Sequence, residues 1–357
     1  MIEINGRKIG EGTPAYIIAE MSANHGKDEA KAIEIIHAMK ESGADCVKIQ
    51  TYTPDTMTID CDNEYFRIGK GTIWEGKTLY ELYGEAYTPW EWHPKLMQTA
   101  NELGMDLFST PFDATSVDFL EELNVPAYKI ASFELTDIPL IKKVAATGKP
   151  VIMSTGMGSR EEITDAVKAV RAEGNSQLIL LKCTSAYPAL PEDADLNTIA
   201  DMKPRFSCDI GLSDHTIGNE VVMGAVSLGA CVIEKHFCMS RNDPGPDSAF
   251  SLEPQEFKVM VDAVREGEKN PNDIEVDKKV FGTVSYERSE KEEACIAFRR
   301  SLFAVEDIQN GEMLTHKNVR VIRPSNGLPP KHLDDVIGLK AAQSISRGTP
   351  LSWDLID

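Results

Sequence analysis

The sequence predicts an α/β protein: a closed (β/α)8 barrel of the TIM type, followed by a small, mostly β module. Three observations lead there. Eight short apolar runs alternate with amphipathic helical stretches over about the first 270 residues. Polar and charged side chains recur where those runs end. From Cys295 onward the texture changes to brief strand-like pieces separated by turns, such as FRRSLFAVEDIQNGEMLT and NVRVIRPSNGLPP.

The units follow in order. Tyr16–Glu20 reads as a strand ending in a carboxylate, and Asp28–Ser42 as a helix with Ile33, Ile35, Ile36 and Met39 on its apolar side and Gly43 as a stop. Asp45–Gln50 is strand-like, with Lys48 and Gln50 on one side by the period of two. Residues 51–88 form a long insertion rich in aromatics and glycine. Such a loop is usually a lid or specificity element, and the rings of Tyr65, Phe66, Trp74 and Tyr80 are expected to line the mouth and help choose a substrate. Regular alternation follows: helix 90–103, strand 105–109, helix 114–123, strand 127–131, helix 137–147, strand 150–154, helix 159–173, strand 177–183 and a short helix 195–202. The stretch from Ser207 to Asp247 organises the rest. Its apolar runs Phe206–Leu212 and Cys231–Phe237 read as neighbouring strands flanking a helix, and a final helix covers 253–268. The predicted domains are therefore a barrel over residues 1–269, a polar linker over 270–293 and a module over 294–357. At its size that module is expected to lean on another surface.

A formal net charge of −20 argues against nucleic acid or an anionic membrane as partner. No apolar run approaches a membrane span, and MIEINGRKIGEG lacks a signal pattern. Seven cysteines without a Cys-x-x-Cys, four of them (Cys46, Cys183, Cys208, Cys231) in predicted strands, fit small core residues in a reducing, cytoplasmic setting.

In a barrel of this kind the C-terminal strand ends converge on one mouth. They carry Glu20, Asn24 and His25; Lys48 and Gln50; Ser109 and Thr110; Lys129, Ser132 and Glu134; Ser154; Thr184, Ser185 and Tyr187; Ser213 and His215; His236 and Asp247. Lysines with small hydroxyls suit a phosphate or carboxylate in a globally acidic chain. His215 and His236 close neighbouring runs, and two imidazoles with carboxylate and water suit a divalent metal with open positions. Glu134 and Glu20 are placed to act as acid, base or hydroxyl acceptor. A Schiff-base aldolase using Lys129 and a sugar-binding protein are the competing readings from the residues alone.

The segments IIAEMSANHG, VKIQTYTPDT, STPFD, YKIASFELTDIPLI, VIMSTGM, LKCTSAYP, IGLSDHT and VIEKHF resemble, in order, those of the sialic acid synthase family, and the last 60 or so residues resemble its antifreeze-like (SAF) domain. Around the insertion the likeness is strongest to the pseudaminic acid synthases, ahead of the N-acetylneuraminate and legionaminic acid synthases. The resemblance implies condensation of phosphoenolpyruvate with 2,4-diacetamido-2,4,6-trideoxy-L-altrose, release of phosphate, and a divalent ion, Mn2+ or Mg2+. It implies His215 and His236 as metal ligands, and Lys48, Thr110, Lys129, Ser132, Ser154, Ser213 and Ser185 around phosphoenolpyruvate. Ser185 stands where neuraminate synthases often carry Asn. Glu20, Gln50, Tyr187 and Asp247 match the sugar side, and Glu134 a catalytic carboxylate. It also implies a domain-swapped homodimer, with Arg323 of one module completing the partner's barrel.

Overall fold

A computed structural model describes residues 1–69, 76–187 and 189–357. An N-terminal hairpin, β1 (Ile2–Ile4) and β2 (Arg7–Ile9), precedes the barrel. Eight parallel strands then close on themselves: β3 (Tyr16–Glu20), β4 (Cys46–Thr51), β5 (Asp106–Pro111), β6 (Tyr128–Ile130), β7 (Val151–Ser154), β8 (Leu178–Cys183), β9 (Asp209–Asp214) and β10 (Val232–His236), with β10 pairing back onto β3. The expected barrel is therefore present. Its strands are nearly continuous apolar runs because parallel strands are covered on both faces.

The helices between strands start where short polar side chains satisfy free amides. In α1 (Glu29–Glu41) the Asp28 carboxylate accepts from the Ala30 and Lys31 N–H groups. The insertion contributes α2 (Pro54–Met57) and α3 (Leu79–Ala86). Then come α4 (His93–Glu102), α5 (Ala114–Glu122), α6 (Ile138–Ala146), α7 (Arg160–Ala172), α8 (Asn197–Phe206), α9 (Glu220–Ser227) and α10 (Pro254–Gly267). Phe206 was expected to open a strand; it ends α8 instead. Ile199, Met202 and Phe206 share the buried side of that helix, and Ser207, at φ +49°, turns the chain out of it before β9 begins at Asp209. Cys208 and Cys231 accordingly lie just before strands rather than in them.

Residues 270–293 are not a free tether. They run along the barrel as a strap that buries Val280 and Glu292, and α11 (Glu290–Cys295) closes it. The C-terminal module, here called the cap, holds the antiparallel pair β11 (Ser301–Ala304) and β12 (Val319–Ile322), followed by a single-turn helix, α12 (Leu333–Val336). Strand period decides its packing. Leu302 and Ala304 face the cap's own small core with Ile308, Leu314 and Val336. Phe303 points the other way, into a second cluster with Met57, Phe66, Leu82, Tyr83 and Phe112. The insertion is thus the seat of the cap. Tyr65 and Phe66 pack on Phe303, at ring distances of 6.4 and 5.2 Å, and do not line the mouth as expected; Tyr80 bonds Asp55 instead. A cap of this size has too little core of its own, so its aromatic side goes to the barrel. Trp74 lies outside the described residues.

Candidate active site

Strand register gathers the polar residues. His236 lies beside Glu20, Glu20 beside Lys48, Gln50 beside Thr110, and Ser213 beside Glu234. Lys48 Nζ sits 2.6 Å from Glu20 Oε2 and 3.4 Å from Thr110 Oγ1. Lys129 Nζ donates to Ser154 Oγ at 2.7 Å. Both lysines are buried, and both approach Glu234 Oε1, at 3.7 and 3.6 Å. Ser213 Oγ donates to the same oxygen at 3.0 Å. Burial opposes every charge here. It prevails at Glu20, whose pKa is raised despite Lys48, and at Lys129, whose pKa is lowered. At Lys48 the carboxylates of Glu20 and Glu234 outweigh burial and raise the pKa; at Glu234 the two lysines outweigh it and lower the pKa.

Ser132 and Ser185 converge around Gly156. Its N–H donates to Ser132 Oγ at 3.1 Å, and a Cβ there would stand 2.8 Å from that oxygen and collide with Ser185 Oγ. Only glycine lets these hydroxyls meet. The opposite side of the mouth is a carboxylate network: Gln50 Nε2 donates to Glu20 Oε1 at 3.3 Å and to Ser22 Oγ at 3.1 Å, and Ser22 Oγ donates to Asp247. Burial raises the Asp247 pKa.

His215 and His236 are neighbours, with ring centroids 5.3 Å apart. The His215 Nδ1–H is held by the Thr184 carbonyl at 2.9 Å, which leaves its Nε2 as the free ligand atom. Buried His236 Nδ1 has no partner among the described residues, and burial drives this ring's pKa well down. Among the described residues no three His, Cys, Asp or Glu side chains cluster as a complete metal site. Two adjacent imidazoles, one with an orphaned nitrogen, fit a cation that takes its remaining ligands from water or substrate. Tyr187, 39% exposed, packs at a tilt against His215 and Phe250, with ring centroids 4.6 and 5.1 Å away, and forms wall.

Glu134 follows β6 on a short turn and is fully buried. Arg323 of the cap donates to its Oε1 at 2.8 Å and to Tyr83 OH at 3.2 Å, and the guanidinium lies over Phe133 at 5.0 Å. The resemblance implies that Arg323 completes a partner's barrel; within the single chain it meets Glu134 of its own barrel. The insertion holds it there: Arg323 N–H donates to Met57 O, and Thr58 Oγ1 donates to Arg323 O.

Two strand-end residues turn away from the mouth: Ser109 Oγ donates to Ile49 O, and His25 Nε2 pairs with Thr88. Sequence reasoning missed Glu234, although it lies two residues before His236 and so shares its face. It also missed Arg300, buried 3.6 Å from Glu134, and Ser22, which nothing in the pattern marks.

With this geometry, comparison with known proteins becomes informative. The NeuB family model matches residues 35–275, and the SAF domain model matches residues 299–357. The chain belongs to the NeuB family. This NeuB protein is 44% identical to the pseudaminic acid synthase of Helicobacter pylori over 96% of its own length and 98% of that protein. It is 36% identical to the N,N'-diacetyllegionaminic acid synthase of Legionella pneumophila over 99% and 98%. Its fold matches the crystal structure of the spore coat polysaccharide biosynthesis protein SpsE of Bacillus subtilis with a TM-score of 0.86 at 33% identity, covering 100% of this chain and 99% of that one. No described helix is long and apolar enough to cross a membrane.

Proposed function

We propose that the chain is a pseudaminic acid synthase, condensing phosphoenolpyruvate with 2,4-diacetamido-2,4,6-trideoxy-L-altrose. One observation carries the reading: a chain 44% identical to pseudaminic acid synthases sets two buried lysines beside two adjacent imidazoles at one barrel mouth. Lys129, with Ser132, Ser154, Ser185 and Ser213, holds the phosphate end, and Lys48 with Thr110 holds the carboxylate end. Glu20, Gln50, Tyr187, Asp247 and Arg323 orient the open-chain sugar. His215 and His236 would hold a divalent ion, Mn2+ or Mg2+, whose chemistry is Lewis-acid polarisation of the aldehyde.

C3 of the enolpyruvate attacks the aldehyde carbon, the aldehyde oxygen gains a proton, and positive charge develops at C2. Water adds at C2 and loses a proton, and the tetrahedral carbon expels phosphate by C–O cleavage. Glu134, fixed by Arg323 on one oxygen and free on the other, is placed to take the water's proton. Glu20, its pKa raised by burial, holds and returns a proton on the sugar side. Lys129 and the serine hydroxyls stabilise the charge that moves to phosphate.

The test is phosphate release from phosphoenolpyruvate with each candidate amino sugar, with the product identified by mass and NMR. Pseudaminic acid with metal, and no release in exhaustive chelator, are expected; release only with a neuraminate or legionaminate precursor would replace the acceptor. The enzyme is further proposed to act in the cytoplasm as a homodimer that exchanges caps. Swapping exchanges an identical element, so the Arg323–Glu134 contact within one chain is the contact a swapped dimer makes between chains. Mixing inactive His236→Ala and Arg323→Ala chains should restore activity; no recovery after verified subunit exchange defeats the swap.

A further inference from the structure

We infer that Glu292, on the strap between barrel and cap, is a positioning residue for the phosphate end of the pocket. The inference rests on the phosphoenolpyruvate reading above and adds a residue outside the barrel to it.

Glu292 is 7% exposed, and its Oε1 accepts two backbone amides from different barrel loops: Met157 N–H at 3.2 Å and Ser185 N–H at 3.0 Å. Its Oε2 is fixed in turn by Ser289 N–H at 3.2 Å, within the capping box of α11. Met157 stands in the left-handed region at φ +58°, a strained setting for a side chain that is not glycine. Its carbonyl is gripped as well, by Arg288 of the strap, whose Nε donates at 2.5 Å, and by Arg299 at the start of the C-terminal module, whose Nη2 donates at 2.8 Å. Both arginines are anchored on Glu162, at 2.9 and 2.8 Å.

What the strap grips from outside faces the pocket on its inner side. The held loop begins at Ser154, which receives Lys129, and continues through Gly156, whose N–H reaches Ser132. The second held loop carries the Ser185 hydroxyl. Because Glu292 occupies the Met157 and Ser185 amides, neither is available to an anion, which leaves the phosphate end to Lys129 and the serine hydroxyls. Their mutual placement depends on the two loops keeping register, and one carboxylate ties those loops together. Removing it strands two buried amides and releases a strained residue next to Gly156, where there is no room for error. Of the sugar-side groups, Glu20, Gln50 and Asp247 make no contact with the strap among the bonds described for them, whereas Tyr187 lies two residues beyond Ser185 on the second held loop.

The experiment uses the full-length enzyme. Glu292→Ala should raise KM for phosphoenolpyruvate roughly 10-fold, with kcat within about threefold and KM for the acceptor raised by no more than about twofold through Tyr187. Glu292→Gln, which keeps an oxygen for both amides, should recover most of the loss. Calorimetric titration of phosphoenolpyruvate alone should show the same weakening. Wild-type enzyme that fails to bind phosphoenolpyruvate sinks the functional reading itself. Binding by wild type that Glu292→Ala leaves untouched, or equal losses for both substrates, overturns the role of Glu292. Should Glu292→Ala not fold, the more exposed Arg288→Ala decides: about threefold weaker phosphoenolpyruvate binding is expected, and unchanged binding refutes the inference.

Discussion

Glu234 and Lys235 are consecutive residues of β10, both buried and both in ion clusters, yet the two clusters are opposites. Lys235 faces outward, toward the helices. Its Nζ meets Asp214 Oδ2 at 2.5 Å and Thr216 O at 2.6 Å, and Asp214 also accepts from the Thr216 N–H and hydroxyl, each at 3.0 Å. Every atom of that carboxylate has a partner. Glu234 faces the mouth, where its own Oε2, Glu134 Oε2 and His236 Nδ1 have none among the described residues. Buried polar groups are bonded in a finished interior, and an unpaired one costs about 1–3 kcal/mol. The outer cluster is a completed piece of structure. The inner one is complete only when something else arrives.

Substitutions can sharpen that contrast. Lys129→Met should have the largest effect, cutting kcat/KM for phosphoenolpyruvate on the order of 100-fold or more while the melting temperature holds or rises, because a desolvated ammonium is removed from a site that is strained without ligand. A borohydride-trapped adduct on Lys129 would instead make it an imine-forming residue. Lys235→Met should do the reverse, leaving buried Asp214 unpaired and destabilising the fold by about 3–5 kcal/mol in denaturant unfolding. Near-normal KM values are expected for whatever fraction stays folded. If Lys235→Met changes KM for phosphoenolpyruvate more than stability, the division between the clusters is wrong. Ser213→Ala should be the mildest. It removes one hydrogen bond to Glu234 and should raise KM for phosphoenolpyruvate about 5- to 10-fold without measurable loss of stability.

The same contrast explains what could be read in advance. The barrel was legible because eight apolar runs separated by amphipathic stretches have few other ways to pack. Lys48, Lys129, His215 and His236 were legible because strand ends in such a barrel share a mouth. Glu234 was not, since Val232 and Ile233 make its run look like plain interior, and the lysines that give it meaning come from β4 and β6. Glu292 was hidden differently: in SEKEE it looks like one of several solvated glutamates, and only packing against the barrel selects it. Arg323 stood out by motif, but which chain's barrel it would meet is a property of the strap's path rather than of any residue pattern.

The two-sidedness of β11 has a consequence for anyone recombining these enzymes. Because Phe303 is seated on Phe66 and Arg323 is held by Met57 and Thr58, the insertion and the cap form one exchangeable cartridge although they lie far apart in sequence. A chimera that imports a foreign insertion under the native cap breaks the seat of that cap and confuses misfit with altered substrate choice. Transplanting both segments together moves the acceptor wall as a unit onto an unchanged catalytic barrel.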